Sequence, residues 1–278
     1  MKRYQKTDLA CELYKNKTLS FNKFNLFGYE AFETTRHKKN KDKIEKSLTL
    51  CTGNLWKYNK DEQNKIENAL SKLIDYLLLE NTKAYKKILV LGLGNRDVSV
   101  DTLGPYVIDK MIPTGHIEDS KTKIFLLSPG VLGQTGFETF DIAFELVKQF
   151  EIDCVFTIDS LSTASIDRLS STIQLSNCGI VPGSGNGVSR KEISEETLGI
   201  PVFSVGVPFV ISSASLVSSC LIDAGIDQLS DEMEIILDSL LTQYVAPKDF
   251  DVILDAMSDV VAGALTKSLN KENIFPIF

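Results

Sequence analysis

The chain has little of what would mark a redox, zinc or membrane protein. It has two histidines, His37 and His116, so a zinc site built on paired histidines is not expected. Its five cysteines (Cys11, Cys51, Cys154, Cys178 and Cys220) are scattered, odd in number and never spaced C-x-x-C. That pattern fits a reduced, cytoplasmic protein. No apolar run reaches roughly 18 residues, so no transmembrane helix is expected. The basic start, Met1-Lys2-Arg3-Tyr4-Gln5-Lys6, is not followed by the apolar core of a secretory signal. A net charge of −7 argues against nonspecific binding to nucleic acid or to an anionic membrane. No G-x-S-x-G elbow occurs, and neither histidine sits near a strand end with a suitable serine, which disfavours a nucleophilic triad.

What is present points to an α/β architecture. The 278 residues suffice for one large α/β domain that needs no disulfide or metal staple. Ile88-Leu89-Val90-Leu91 is an apolar run without alternation, as in a strand buried on both faces. It stops at Gly92-Leu93-Gly94-Asn95, a turn sequence. Asp101 follows, just ahead of the helical spacing of Leu103, Val107, Ile108 and Met111. Lys123–Leu127 and Cys154–Ile158 read as two further strands, with a helical face of Phe137, Phe140, Phe144 and Val147 between them. Thr135-Gly136-Phe137-Glu138 has the form of a capping box opening that helix. Helical spacing also runs from Asp61 through Leu78 and from Asp249 through Ala264, and Ile173–Leu175 and Pro201–Pro208 are strand candidates. Strands alternating with helices imply right-handed crossovers and a mostly parallel sheet. Residues 1 to about 57 are polar and hold no sustained period; the basic run Arg36–Lys41 within them reads as a solvated loop.

Three features could carry chemistry. The turn Gly92–Asp97 places an aspartate where a dinucleotide fingerprint needs its third glycine, and that charge would repel a pyrophosphate. The loop Gly183–Gly187 lacks a Walker pattern; it is either flexible punctuation or a set of backbone amides for a carbonyl or anion. Asp101 and Asp159 each follow a parallel-strand candidate at its carboxyl end, where open α/β sheets form their ligand crevice. Two carboxylates sharing a site cannot both ionise cheaply, so one can act as base and the other as acid. The plainer alternative is that each caps a helix or turn.

The longer motifs resemble a known family. Gly92-Leu93-Gly94-Asn95 with Asp101-Thr102-Leu103-Gly104-Pro105, then Ser128-Pro129-Gly130-Val131-Leu132-Gly133-Gln134-Thr135-Gly136, then Thr157-Ile158-Asp159-Ser160-Leu161 are similar to collinear motifs of the bacterial spore germination proteases. So are Thr172-Ile173-Gln174-Leu175-Ser176, Pro182-Gly183-Ser184-Gly185, Arg190-Lys191, Glu195–Val202 and Gly206-Val207-Pro208, and Thr7-Asp8-Leu9-Ala10 near the start. The resemblance implies an atypical aspartic endopeptidase with a fold like that of hydrogenase-maturation proteases: a three-layer α/β sandwich around a mainly parallel central sheet. It implies Asp101 and Asp159 as the catalytic pair and small acid-soluble spore proteins as substrates at the start of germination. It also implies a homotetrameric zymogen in the spore core that trims itself near Asp8–Leu9. Residues 1–8 would then be a short propeptide-like extension and 9–278 a single peptidase domain. No cofactor, metal, nucleic acid or membrane is implied. Asn95, Gly183, Ser184 and Gly185 are candidates for substrate binding by position.

The chain departs from the family pattern at four places. Ala164 stands where an Arg is usual, Asn177 where an Asp is, Val181 where a His is common, and Ser212 where an acid is. These are drift in a diverged paralogue, or they alter specificity or weaken activity. Two alternatives to an active aspartic peptidase are therefore kept: a binding paralogue that grips spore proteins without cutting, and a metal-dependent maturation-type endopeptidase with His116 as its sole nearby imidazole.

Overall fold

The computed structural model describes residues 2–13, 19–37, 44–79, 84–182, 190–226 and 228–270. Among these the strands are β1 (Leu19–Leu26), β2 (Tyr29–His37), β3 (Ile44–Cys51), β4 (Lys87–Gly92), β5 (Lys123–Leu127), β6 (Cys154–Thr163), β7 (Thr172–Ser176), β8 (Val202–Ser212) and β9 (Tyr244–Val245). The helices are α1 (Lys60–Leu79), α2 (Leu103–Lys110), α3 (Leu132–Thr135), α4 (Thr139–Phe150), α5 (Glu195–Leu198), α6 (Ser213–Asp223), α7 (Asp231–Ser239) and α8 (Phe250–Leu269).

All the strands join one sheet in the order β1-β2-β3-β7-β8-β6-β4-β5, with β9 added to β8. The four strands β8, β6, β4 and β5 pair in parallel. Every other pairing is antiparallel. The expectation of a mainly parallel sheet is therefore corrected to a mixed one. Of the antiparallel strands, β1–β3 come from the polar N-terminal region, and β7 and β9 come from later in the chain. The β1–β2 hairpin turns through Phe27 and Gly28, both at positive φ, with Leu26 paired to Tyr29. A two-residue hairpin of this kind needs no crossover helix and leaves no helical period to read. β1 is an edge strand, exposed along most of its length, so its apolar alternation is weak. In the basic run, Arg36 and His37 end β2, and Arg36 pairs with Glu45 across the hairpin; residues 38–43 lie outside the described set.

The parallel half explains the uninterrupted apolar runs. Ile88 and Val90 of β4 and Phe156 and Ile158 of β6 face one way, into a core formed with α1, α2 and α8. Leu89, Leu91 and Val155 face the other way, against Ala143 and Val147 of α4. Both faces are covered, so the runs are apolar apart from the buried Thr157 of β6. Beyond α4, on that second face, residues Ala10–Glu12 form a 3₁₀ turn lying over β2 and β3.

The capping-box expectation at Thr135 fails. Thr135 ends α3, and its hydroxyl accepts from the Phe137 amide; α4 begins at Thr139 without a side-chain cap. Phe137 is exposed, outside the core face that Val147 and Ala143 form. A capping box exists instead at Ser194–Thr197, opening α5.

Candidate active site

The corner after β4 is built on glycine. A Cβ on Gly92 would lie 2.4 Å from the Gly104 carbonyl oxygen, and one on Gly104 would lie 2.3 Å from that of Leu93. Strand end and helix start thus touch backbone to backbone, which only glycine at both positions permits. Between them the chain turns tightly. The Asn95 amide donates to the Asp101 carbonyl (2.9 Å), the Val98 amide to Asn95 (3.1 Å) and the Asp101 amide to Val98 (2.8 Å). Gly94 sits at φ +121°, under Asp101. The result is a short 3₁₀ turn, Ser99–Asp101, that holds the Asp101 carboxylate above the end of β4, half-buried and against β6.

Asp159 reaches the same rim along β6. Ile158 pairs with Gly92, so Asp159 stands one step past the end of β4. Its side chain is half-buried, and its Oδ1 accepts from the Ser160 amide at 2.9 Å. Burial pushes the Asp159 carboxyl well above the usual carboxylate range, the Asp101 charge adds to the shift, and the exposed Asp8 adds a little more; the Ser160 amide opposes them. Burial likewise raises Asp101, to about 6, against the pull of the Asn95 amide. The two aspartates singled out in the sequence are therefore electrostatic neighbours, and their environments favour the neutral form of both, Asp159 more strongly.

The other candidate residues fall in different places. The Asn95 side-chain oxygen is already occupied by the Asp97 amide (2.9 Å) and by Gln134 Nε2 (2.8 Å), so Asn95 serves the turn. Gly183, Ser184 and Gly185 lie outside the described residues. His116 lines an apolar cleft beside β5 with Phe125 and Phe150, near the start of that strand and away from the rim. Asp8 and Leu9 lie along β6, with Asp8 near enough for its charge to act on Asp159. The Asp8 amide donates to Ser162 of β6 (3.1 Å), and its carboxylate accepts from the Ser162 amide (2.8 Å) and hydroxyl (2.7 Å). Leu9, extended at φ −83°, ψ 117°, is fully buried with Cys11, Phe32 and Leu161.

Gln174 was missed by motif reasoning. Its side-chain Oε1 accepts from the Ala10 amide (2.7 Å) and its Nε2 donates to the Asp8 carbonyl (3.1 Å). The signal that could have found it is its place in β7. Gln174 pairs with Gly206 of β8, which pairs with Asp159, so the three stand in one row on one face of the sheet.

Three of the four departures from the family pattern have local work. The Ala164 amide donates to Glu12, whose nearly buried carboxylate also accepts from the Thr163 hydroxyl and the Ser165 amide and lies 3.8 Å from Arg168. Asn177 clips β3 to β7: its Oδ1 accepts from the Lys46 amide and its Nδ2 donates to the Ile44 carbonyl. Ser212 is the N-cap of α6, accepting from the Ser215 amide at 3.0 Å. Ser212→Ala is expected to lower stability by about 1 kcal/mol, the ordinary worth of such a cap, with little effect on the aspartates. Urea unfolding would measure it.

A mixed α/β fold, with two half-buried carboxylates on one rim beside the end of the parallel strand β4, is the class that the fold and the site define. The sequence model of the family described as "Germination protease" matches residues 17–235, and the chain belongs to that family. A germination protease of Bacillus cytotoxicus is 40% identical over 183 residues, 63% of this chain and 50% of that protein. One from Clostridium perfringens strain SM101 is 34% identical over 234 residues, 81% of this chain and 68% of that protein. The chain thus spans half the length of the Bacillus relative. Among solved structures, the [NiFe] hydrogenase maturation protease HycI of Thermococcus kodakarensis KOD1 aligns with TM-score 0.35 and 11% identity, over 68% of this chain and 98% of that one. A likeness that low says nothing about the chemistry of this chain.

Proposed function

We propose that the chain is an aspartic endopeptidase, made as a self-processing zymogen, that hydrolyses small acid-soluble spore proteins as germination begins. The observation that carries this reading is the Asp101–Asp159 pair. Asp101 sits in the turn after β4 and Asp159 on β6 one step past the end of β4, each is raised by burial, and Asp159 is close enough to sense the Asp101 charge. Family membership supports the substrate class, the homotetramer and the spore-core location. The division into a propeptide-like 1–8 and a peptidase unit 9–278 is supported by the bonds that lay Asp8 along β6 beside Asp159.

The unequal environments support a division of roles. With a value of about 6, Asp101 is mostly ionised at neutral pH, while burial and the Asp101 charge push Asp159 the other way, toward its protonated form. Asp101 takes a proton from a water molecule, whose oxygen attacks the carbonyl carbon of the scissile bond. Asp159 gives its proton to the leaving nitrogen as the carbon–nitrogen bond breaks. The proton on Asp101 then returns to Asp159 directly or through solvent, and the pair is reset.

This predicts a bell-shaped dependence of turnover on pH. The rate rises as pH passes about 6 and Asp101 ionises, and falls at higher pH as Asp159 loses its proton. A rate that climbs steadily from acid to alkaline pH would contradict the assignment. The reading as a whole is tested by mixing the purified chain with a small acid-soluble spore protein and weighing the products by mass spectrometry. Discrete fragments are expected, with a trimmed enzyme beginning at Leu9. A folded chain lacking residues 1–8 that binds the spore protein and yields no fragments would establish the binding paralogue instead.

A further inference from the structure

The segment Asp8-Leu9-Ala10 lies in the geometry of a bound peptide. Ser162 holds Asp8 by its amide and hydroxyl, Leu9 fills a closed apolar pocket, and Gln174 bridges the main chain on either side of Leu9. The amide of Gln174 admits one orientation here. The Ala10 N–H needs an acceptor and the Asp8 C=O needs a donor, so Oε1 faces Ala10 and Nε2 faces Asp8. The Asp8 carbonyl belongs to the Asp8–Leu9 peptide bond, the bond that self-processing would cut.

We propose that Gln174 is a catalytic residue, with its Nε2–H donating to the scissile carbonyl oxygen and polarising it while its Oε1 holds the next residue's amide. The inference rests on the peptidase reading above and deepens it. The row Asp159–Gly206–Gln174 gives the physical basis. Asp159 and Gln174 stand two strand spacings apart, about 10 Å, on the same face. Gly206 lies between them and carries no side chain, and Leu161 leans into the space a Cβ there would take. Leu161 is part of the floor on which Leu9 rests. A peptide held as Asp8-Leu9-Ala10 is, from Ser162 on β6 to Gln174 on β7, spans from the strand that carries Asp159 to Gln174, and its carbonyl lies within reach of Gln174.

The consequence is a division of labour. As water attacks, negative charge grows on the carbonyl oxygen, and a preset amide N–H is a donor aimed at that charge. Gln174 transfers no proton. Asp159 need not spend its proton on the carbonyl and keeps it for the leaving nitrogen. The same contact in a purely structural role would pin the N-terminal segment and matter only within the chain.

The test uses chain already trimmed at Leu9 and a separate small acid-soluble spore protein, so that a pin and a catalyst give different results. Gln174→Ala and the isosteric Gln174→Glu, which keeps an acceptor for the amide but offers no N–H when ionised, are compared with the unaltered chain. Loss of one donor of this kind lowers kcat by about 10²–10³-fold. Both variants are expected to show that loss, with KM changed by roughly threefold or less and the acid limb of the pH profile unmoved, because Asp101 is untouched. A folded Gln174→Ala or Gln174→Glu chain with kcat near that of the unaltered chain overturns the inference, as does a loss confined to KM. The peptidase reading fails separately: the unaltered chain then cuts nothing, or Asp101→Asn cuts as well as it does.

Discussion

Asp101→Asn and Asp159→Asn each lower turnover by about 10²–10⁴-fold and yet make the protein harder to unfold at about pH 8. Both halves follow from the same burial. A carboxyl group raised in the folded state holds its proton more tightly there than in the unfolded chain, where aspartate titrates near 3.9. Its contribution to stability is therefore full below about pH 4 and is lost as pH rises through the folded value. For Asp101, with a folded value of about 6, the loss amounts to roughly 2–3 kcal/mol by neutral pH. Asparagine keeps the shape and removes the charge. Melting temperature should rise by roughly 4–10 °C in Asp101→Asn near pH 8 and hardly change near pH 4. Asp159→Asn moves stability in the same direction. Because the two groups act as one unit, the double variant should lose little more activity than either single one. Thermal melts at the two pH values, run beside the peptidase assay, decide the matter; an active Asp101→Asn chain, or one less stable at pH 8, would sink the assignment.

Gly94→Ala should be among the most damaging single-methyl changes in the molecule. A Cβ there would lie 1.9 Å from the Asp101 carbonyl oxygen, a contact no real structure tolerates. The backbone at φ +121° is also closed to a residue with a side chain. Nothing flexible can give way, since the opposing atom is main chain, tied to the Asn95 amide. The turn must open, and Asp101 moves with it. We expect about 3–5 kcal/mol of lost stability and near-complete loss of cleavage. Urea denaturation and the peptidase assay measure the two effects. Gly136→Ala is the control: a Cβ at Gly136 meets nothing within 4 Å, so only the cost of its positive φ of 75° applies. Equal damage from the two would mean that the close approach at Asp101 is not what matters.

The parallel strands and the aspartate pair were legible because they obey local rules. β4 and β6 are covered on both faces, so their sequences are continuous apolar runs, and a polar residue at the end of such a run stands out. The glycines of the corner were visible as punctuation, although their purpose, backbone meeting backbone at Gly92 and Gly104, was not. The strands β1–β3 were invisible for the opposite reason. They form an antiparallel meander at the sheet edge, with one strand exposed on both sides, and no period survives there. Likewise Ser212 and Asn177, noticed only as lost charges, turned out to cap a helix and clip two strands.

The order of residues along the chain determined which strands are buried on both faces and where each carboxylate follows its apolar run, because burial and turning are written in apolar runs and glycines. It could not determine which strands become neighbours. That Asp101 and Asp159 share a rim, that Gln174 stands in line with Asp159 across Gly206, and that residues 8–10 lie over that row were decided by the tertiary structure. The reason is physical. Strand pairing joins segments far apart in sequence through backbone hydrogen bonds, and those are the same for every residue type. The raised titration of the two aspartates belongs to the same category, since it is caused by the atoms that folding gathers around them and not by the residues beside them in the chain.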